Sequence, residues 1–173
     1  MRRLFLAIPM AALLSFTGCG YHTADSAAHL PKTVHTLAVP TFQNLTQSYH
    51  TEVSFTRAIV QEFSSRTSYK LEPGRDPDAD ATLDGTITSY QVTPLAYNSQ
   101  TGQSASFLIT IKAKIVLTDH NHKTLYDNSS YLFRQQYETT QDLASFIQED
   151  PSAVERLSHD FAQAVVSDIL ESF

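Results

Sequence analysis

The chain has 173 residues, of which 12 are Lys or Arg and 18 are Asp or Glu, giving a formal net charge of −6 at pH 7. An acidic chain without a basic footprint is not expected to bind nucleic acid. The length suits one domain with one hydrophobic core, and the single cysteine excludes an internal disulfide.

The N-terminus has the pattern of a secretory signal. A basic start, Met1-Arg2-Arg3, is followed by the apolar run Leu4 to Phe16 and then by small residues. This run is too short to cross a membrane as a helix. We therefore predict that residues 1–18 form a signal peptide that is cleaved.

Cys19 directly follows Thr17-Gly18, the place where a bacterial lipobox puts the cysteine that receives diacylglycerol. An unpaired thiol is the alternative, but an exposed thiol is a liability in an oxidising compartment. Each buried methylene of a lipid chain contributes about 0.8 kcal/mol, so an acylated Cys19 would anchor the protein to a membrane. Gly20 after the cysteine favours the outer membrane. Residues 19–32 are predicted to tether the lipid to a domain at residues 33–173.

The domain is predicted to begin with a strand, Thr33 to Pro40, then a polar loop and a helix, Tyr49 to Arg66. Ser68 to Leu71 is a candidate strand end. Helix positions three and four residues apart are expected to face the core. They are Val53, Thr56, Val60 and Phe63, flanked by Phe55 and Ile59.

Three alternating aspartates after this helix resemble the start of a calcium-binding loop. They are Asp76, Asp78 and Asp80. Ala81 stands where such a loop needs its turn glycine, and Ile87 stands where it needs its bidentate glutamate. We therefore predict a solvated turn here, without a metal.

The strongest element is Ala105 to Thr118, in which apolar and polar residues alternate strictly. Such alternation predicts a strand with one apolar face and one face that bears Lys112 and Lys114. At about 3.3 Å per residue the strand would be roughly 45 Å long, longer than most sheets are deep. The sheet is therefore expected to be covered on one side only and to have a protruding end.

The neighbours of this strand are predicted to be Ala81 to Val92 and Leu125 to Glu138, through polar turns at Tyr97 to Ser104 and Asp119 to Lys123. A shift in the alternation near Ser89-Tyr90 suggests a bulge. Short turns between strands predict a meander. The first strand, which connects through a helix, should add to it in parallel.

After Thr140 the pattern becomes helical. Gln141 to Gln148 is a candidate short helix, and Asp150-Pro151 would cap and begin the last helix. The order β-α-β-β-β-α predicts an α+β two-layer sandwich, with two main helices packed on one face of a four-stranded mixed β-sheet. The apolar stripe of the last helix is Val154, Leu157, Phe161, Val165 and Ile169.

The sequence contains no evident catalytic constellation. Only His120 and His122 are close among seven histidines, and in a polar turn they are better interpreted as solvated than as ligands. Five glycines leave little scope for a phosphate-binding backbone loop, and no carboxylate has an apolar setting that would tune its pKa. We predict that the protein is not an enzyme and has no cofactor or metal.

Short motifs along the whole mature chain together carry a family resemblance. They are G-C-G-Y-H at 18–22, Leu30-Pro31, L-A-V-P-x-F-x-N-x-T at 37–46, A-D-A-x-L-x-G-x-I at 79–87, and R-L-x-x-D-F-A at 156–162 with Ile169-Leu170-Glu171. In this order they resemble the LptE family, the lipopolysaccharide-assembly lipoproteins of the Gram-negative outer membrane. The family fold implied, two helices on a four-stranded mixed sheet, agrees with the pattern above.

The resemblance implies a lipoprotein at the periplasmic face of the outer membrane. It would plug the lumen of the LptD β-barrel, help that barrel to assemble, and assist insertion of lipopolysaccharide into the outer leaflet. Protruding turns and the exposed sheet face would meet the barrel or the lipopolysaccharide. The candidate contact residues are Asn98, Gln100, Gly102, Lys112, Lys114, His120, His122 and Lys123.

Direct lipopolysaccharide binding is a separate question. The family links it to basic residues near a hairpin tip and the following loop, and this chain has none at 97–104 or 138–150. The other basic candidates are Lys112, Lys114, Lys123 and Arg134, for which ordinary solubility is the alternative role.

Two other function classes are open. Leu37 to Thr46 also resembles the first strand and turn of CsgG- and LpoB-like periplasmic lipoproteins, which form secretion pores or activate cell-wall enzymes. A lipid-anchored hydrolase would need a clustered polar pocket, for which the sequence offers no candidate. Co-purification with an outer-membrane barrel would separate the assembly role from both.

Overall fold

A computed structural model describes residues 30–31, 33–48, 51–97, 104–138 and 151–173. These residues form six β-strands and two α-helices. In chain order they are β1 Thr36–Val39, β2 Gln43–Asn44, α1 Thr51–Arg66, β3 Lys70–Pro73, β4 Ala81–Tyr97, β5 Ser104–Asp119, β6 Thr124–Glu138 and α2 Pro151–Glu171.

The strands form one mixed sheet in the order β3-β1-β4-β5-β6, with β2 also paired to β4. β1 is parallel to both β3 and β4, whereas β4, β5 and β6 form an antiparallel meander. The predicted α+β class, the two main helices and the mixed sheet are confirmed. The predicted number of four strands is wrong, because β2 and β3 bring the sheet to six.

The two additional strands are short. β2 has two residues and lies inside the predicted polar loop, so it has no alternation by which it could be recognised. β3 covers four residues and includes the candidate strand end at Leu71. Its pairing with β1 is what makes it a strand.

Two irregularities shape the meander. The β4–β5 register shifts between Ile87 and Ser89, next to the predicted bulge. The β5–β6 register shifts between the pairs Ala113–Tyr131 and Ile115–Asn128. β4 also runs beyond its predicted end, through Pro94. A residue without an N–H is tolerated there because β5 is the only described strand that pairs with this part of β4.

The core lies between one face of the sheet and the two helices. Alternate residues of β5 are buried on this face, as the sequence predicts: Phe107, Ile109, Ile111, Ala113, Ile115 and Leu117. Phe161 of α2 is at the centre of the core. Its ring stacks on Phe55 of α1 at a centroid distance of 4.8 Å and meets Tyr131 and Phe133 of β6 edge-on at 6.0 and 5.7 Å.

The buried face of α1 differs from the predicted one at its beginning. Phe55, Ile59 and Phe63 are fully buried, whereas Val53 is 41% exposed and Val60 is only half-buried. The row that contains Phe55 and Phe63 faces the core because burying a phenylalanine removes more apolar area from water than burying a valine does. The prediction that Val53 faces the core is therefore wrong.

Some predictions lie outside the described residues. They concern the signal peptide, the tether, the helix at 141–148, the cap Asp150 and the tip of the β4–β5 hairpin. Within the described chain, no helix combines the length and the apolarity needed to span a bilayer.

Candidate functional site

The face of the sheet opposite the helices carries a cluster of positive charge. Lys112 and Lys114 of β5 and Arg134 of β6 point away from the core and are exposed. We call these three residues the outer basic patch. Their cross-strand partners are all uncharged: Ser89 and Leu132 for Lys112, Thr86 for Lys114, and Thr110 for Arg134.

The pairing register puts the three cations next to one another. Lys112 and Lys114 are two residues apart on one face of β5, about 7 Å along the strand. Arg134 is two residues beyond Leu132, the partner of Lys112, so it is the diagonal neighbour of Lys112, roughly 7–8 Å away. Three positive side chains therefore lie close together. Asp84 and Asp127, which both pair with Val116, are the diagonal neighbours of Lys114 on the same face.

The described ion pairs do not include these three cations. They join Arg66 to Glu62, Lys70 to Glu72, and Arg75 to Asp84. Among the residues that the structure describes, no carboxylate forms an ion pair with the outer basic patch. Both layers bear acids: α2 carries four acidic residues and one arginine, and the outer sheet face carries Asp84, Asp127 and Glu138.

The turn between β5 and β6 contains three more of the predicted contact residues: His120, His122 and Lys123. Asp119 organises this turn, because its carboxylate accepts hydrogen bonds from the backbone N–H groups of Asn121 and Lys123 at 2.8 and 2.9 Å. The two histidines are exposed, and the described residues contain no group of side chains that could hold a metal.

The structure does not bring this turn to the patch. The turn begins at Asp119, about 17 Å along β5 from Lys114 at 3.4 Å per residue. At the other end of β5, Ser104 pairs with Tyr97 of β4. The predicted contact residues therefore divide into separate places. Asn98, Gln100, Gly102 and Cys19 lie outside the described residues.

Several residues of the family motifs have structural roles. The Asn44 side-chain amide donates to the Ser48 carbonyl oxygen at 2.7 Å and the Glu52 carboxylate at 2.9 Å, with a third contact to Thr51 Oγ1 at 3.1 Å. Its oxygen accepts from the Thr46 N–H and hydroxyl. Asn44 thus fixes the loop after β2 to the first turn of α1.

Gly85 and Phe42 form a second structural contact from these motifs. A Cβ atom on Gly85 would lie 2.3 Å from the nearest Phe42 ring carbon, so only glycine leaves space for the ring. Phe42 is buried, and its N–H donates to the Thr56 hydroxyl of α1 at 2.9 Å. The ring thereby packs the segment before β2 against β4.

Asp80 forms the third contact. Its carboxylate accepts hydrogen bonds from the His35 and Thr36 N–H groups at 2.8 and 2.9 Å, and these bonds lower the pKa of Asp80. Asp76 instead accepts from the Asp78 N–H within its own turn. The loop is therefore ordered by hydrogen bonds to its backbone, which accords with the predicted turn.

Two tyrosines of β6 hold α2 in place, and no sequence pattern indicates this role. The Tyr137 hydroxyl donates to the Asp160 carboxylate at 2.9 Å, and the Tyr126 hydroxyl donates to the Asp168 carboxylate. Burial and the neighbouring carboxylates raise the pKa of both tyrosines. Two of the four α2 acids are therefore engaged in packing the helix on the sheet.

The comparisons with known proteins give a family and a fold. The LptE lipopolysaccharide-assembly family model matches residues 34–169. Protein XCC0632 from Xanthomonas campestris has a TM-score of 0.57 at 12% identity, covering 83% of this chain and 88% of that chain. The PelC dodecamer from Paraburkholderia phytofirmans has a TM-score of 0.53 at 10% identity, covering 84% and 94%. At such identities these structures show similarity of fold alone. No curated protein sequence matches the chain.

Proposed function

The chain belongs to the LptE lipopolysaccharide-assembly family, and from this premise we propose that it plugs an LptD-type outer-membrane β-barrel. In this role it helps the barrel to assemble and assists the insertion of lipopolysaccharide into the outer leaflet. The observation that carries the proposal is the family match, which extends over residues 34–169 and so includes nearly the whole domain.

The N-terminal segment supplies the membrane attachment in this proposal. Residues 1–18 are removed, Cys19 carries the lipid chains, and residues 19–32 connect the anchor to the domain. The domain then lies on the periplasmic side of the outer membrane, close to the barrel. Lipid chains favour this arrangement because each buried methylene contributes about 0.8 kcal/mol to membrane affinity.

The fold supports a plug in two respects. The helices cover one sheet face with a closely packed core around Phe161, which gives the domain a rigid body. The other sheet face carries polar and charged side chains that remain compatible with a hydrated lumen. We assign no catalytic role, because members of this family are assembly factors.

The test is a detergent pull-down of the tagged full-length protein from its native outer membrane, followed by mass spectrometry. We expect a barrel of the LptD type in a one-to-one ratio. A Cys19→Ala variant provides the control for the anchor, because it should lose membrane attachment while the domain stays folded.

The pull-down also separates the other function classes. A cell-wall enzyme recovered in place of the barrel would indicate an activator of the LpoB-like class. A large homo-oligomer would indicate a pore component, an outcome worth measuring by light scattering because PelC, which has a similar fold, is a dodecamer. Either result would refute the plug role.

A further inference from the structure

The two edges of the sheet differ in how well they are protected against pairing with another strand. β3, at one edge, has four residues, carries Lys70 and ends at Pro73, and a short strand, a lysine and a proline all disfavour such pairing. β6, at the other edge, has 15 residues without a proline or a lysine. Within the described residues β5 is the only strand that pairs with β6, so the other side of β6 has no strand partner.

Only the second half of β6 offers a regular edge. In the first half the register shift interrupts the strand, and the Asn128 side-chain oxygen accepts a hydrogen bond from the Ser130 N–H at 3.2 Å. Bulges of this kind disfavour pairing at an edge. From Tyr131 to Glu138 every residue pairs with β5 in an unbroken register. The outer side of this segment, which we call the free edge, is therefore a regular template for another strand.

The side chains of the free edge have complementary charges. Arg134, Gln136 and Glu138 are exposed and share the outer sheet face, since they are two residues apart on one strand. Arg134 and Glu138 are about 13 Å apart along the strand, too far to pair with each other. Neither forms an ion pair within the described chain. An antiparallel copy of this strand, centred on Gln136, brings each Arg134 opposite the Glu138 of the other copy.

We propose that the free edge pairs with the free edge of a second copy of this chain, antiparallel and about a two-fold axis at Gln136. Opposite charges on facing residues stabilise neighbouring strands, and this register forms two such pairs. Centring the pairing on Arg134 would oppose two arginines. Centring it on Gln135 would leave both charges opposite neutral residues. The charges therefore select one register.

The assembly ends at two copies. Each domain has one free edge, because β3 is protected, and a surface that pairs with itself about a two-fold axis forms a closed dimer. The two sheets then join into one sheet, with the helices of both copies on the same side. A contact made by one strand of each copy is small, so the dimer is weak and depends on protein concentration. The inference goes beyond the proposed function and does not depend on it.

Disulfide trapping tests the pairing and its register. Gln136→Cys puts a thiol opposite its own copy, where the Cα atoms of antiparallel strands are about 5 Å apart and a disulfide can form. The full-length protein, overproduced alone and purified in detergent, is mildly oxidised and run on a non-reducing gel. We expect a disulfide-linked dimer. The control Leu132→Cys, exposed on the same strand, would be roughly 26 Å from its copy and should give about tenfold less. The wild type shows what Cys19, its only cysteine, contributes.

A charge swap in the Gln136→Cys protein tests the ion pairs. Arg134→Glu opposes carboxylates at both pairs, and Glu138→Arg opposes cations at both, so each should lower the dimer yield about tenfold. The two substitutions together restore opposite charges and should return the yield to within about twofold. Both side chains are exposed, and urea denaturation should show that the variants remain folded.

The outcomes distinguish this inference from the proposed function. No dimer from Gln136→Cys, an equal yield from Leu132→Cys, or no rescue by the double swap would overturn the pairing and leave the barrel pull-down unaffected. A pull-down without a barrel would refute the proposed function and leave the dimer. A photoreactive amino acid at position 136 in the native membrane identifies any other occupant. Crosslinks to another protein, with none to a second copy, would overturn the inference.

Discussion

Two regions of this domain differ in whether their residues contact other parts of the chain. The region around the start of β4, which we call the clamped end, contains Phe42, Asn44, Asp80 and Gly85, all from the family motifs. Each of these residues packs or bonds to another part of the chain. The outer basic patch contains no motif residue, and none of its members forms an ion pair within the described chain. The motif residues therefore stabilise the fold, whereas the three cations contribute no described ion pair to it.

Gly85→Ala, in the clamped end, should cause the largest loss of stability among these substitutions. The added methyl would overlap the ring of buried Phe42, and displacing that ring should lower the free energy of unfolding by about 3 kcal/mol. Urea denaturation of the purified domain measures this loss. Adding Phe42→Leu should recover part of it, because the smaller side chain leaves space for the methyl. Strictly additive losses would show that the two residues do not interact.

Asn44→Ala should have the next largest effect. It removes the amide that links the loop after β2 to α1, and we expect a loss of about 2 kcal/mol in the free energy of unfolding. Hydrogen exchange should show earlier opening of the first turn of α1. Gln43→Ala is the matched control, because Gln43 is its exposed neighbour. Equal losses for the two variants would contradict the proposed role of the amide.

Asp80→Asn should have a smaller, pH-dependent effect. The pKa of Asp80 is lowered in the folded state by the His35 and Thr36 N–H groups, so its stabilising contribution is complete above the unfolded pKa of about 3.9. It is lost as the pH falls through the folded value. We expect a loss of about 1 kcal/mol at neutral pH, since the carboxylate is near solvent. Urea denaturation in steps toward acid pH should show this difference shrinking, and a difference that stays constant with pH would contradict the prediction.

The smallest effect on stability is expected from the neutral substitution K112Q/K114Q. Both side chains are exposed and make no described ion pair, so the free energy of unfolding should change by less than about 0.5 kcal/mol. The same urea denaturation measures it. A loss above about 1 kcal/mol would mean that the patch supports the fold, and the distinction between the two regions would fail.

The elements were largely predictable because several are long and strongly periodic. The odd-numbered residues of β5 from Phe107 to Leu117 are all apolar and all buried, so its inward face follows from sequence alone. Spacing predicts that Val53 of α1 faces the core, but spacing does not show which of two overlapping apolar rows buries more surface. β2 is not predictable because a strand of two residues is too short to show alternation.

The site was only partly predictable. Lys112 and Lys114 share a face because they are two residues apart on one strand. Their proximity to Arg134 depends on the pairing of β5 with β6, which sequence spacing does not give. The sequence also predicts His120 and Lys123 as contact residues, but the turn that contains them is separated from Lys112 and Lys114 along β5.

The irregular pairing in the middle of β6 has a consequence for how the chain divides its residues between the layers. Beyond the shift, Thr110 is opposite Arg134 and Ile111 is opposite Phe133. If the pairing of Ile115 with Asn128 continued without the shift, Arg134 would instead be opposite Ile109, among the core residues, and Phe133 would face water. The one extra residue in β6 thus determines which of the residues after it face the core. It gives the interior its aromatic ring and the exterior its guanidinium in a single step, so neither feature can be altered by insertion or deletion without the other.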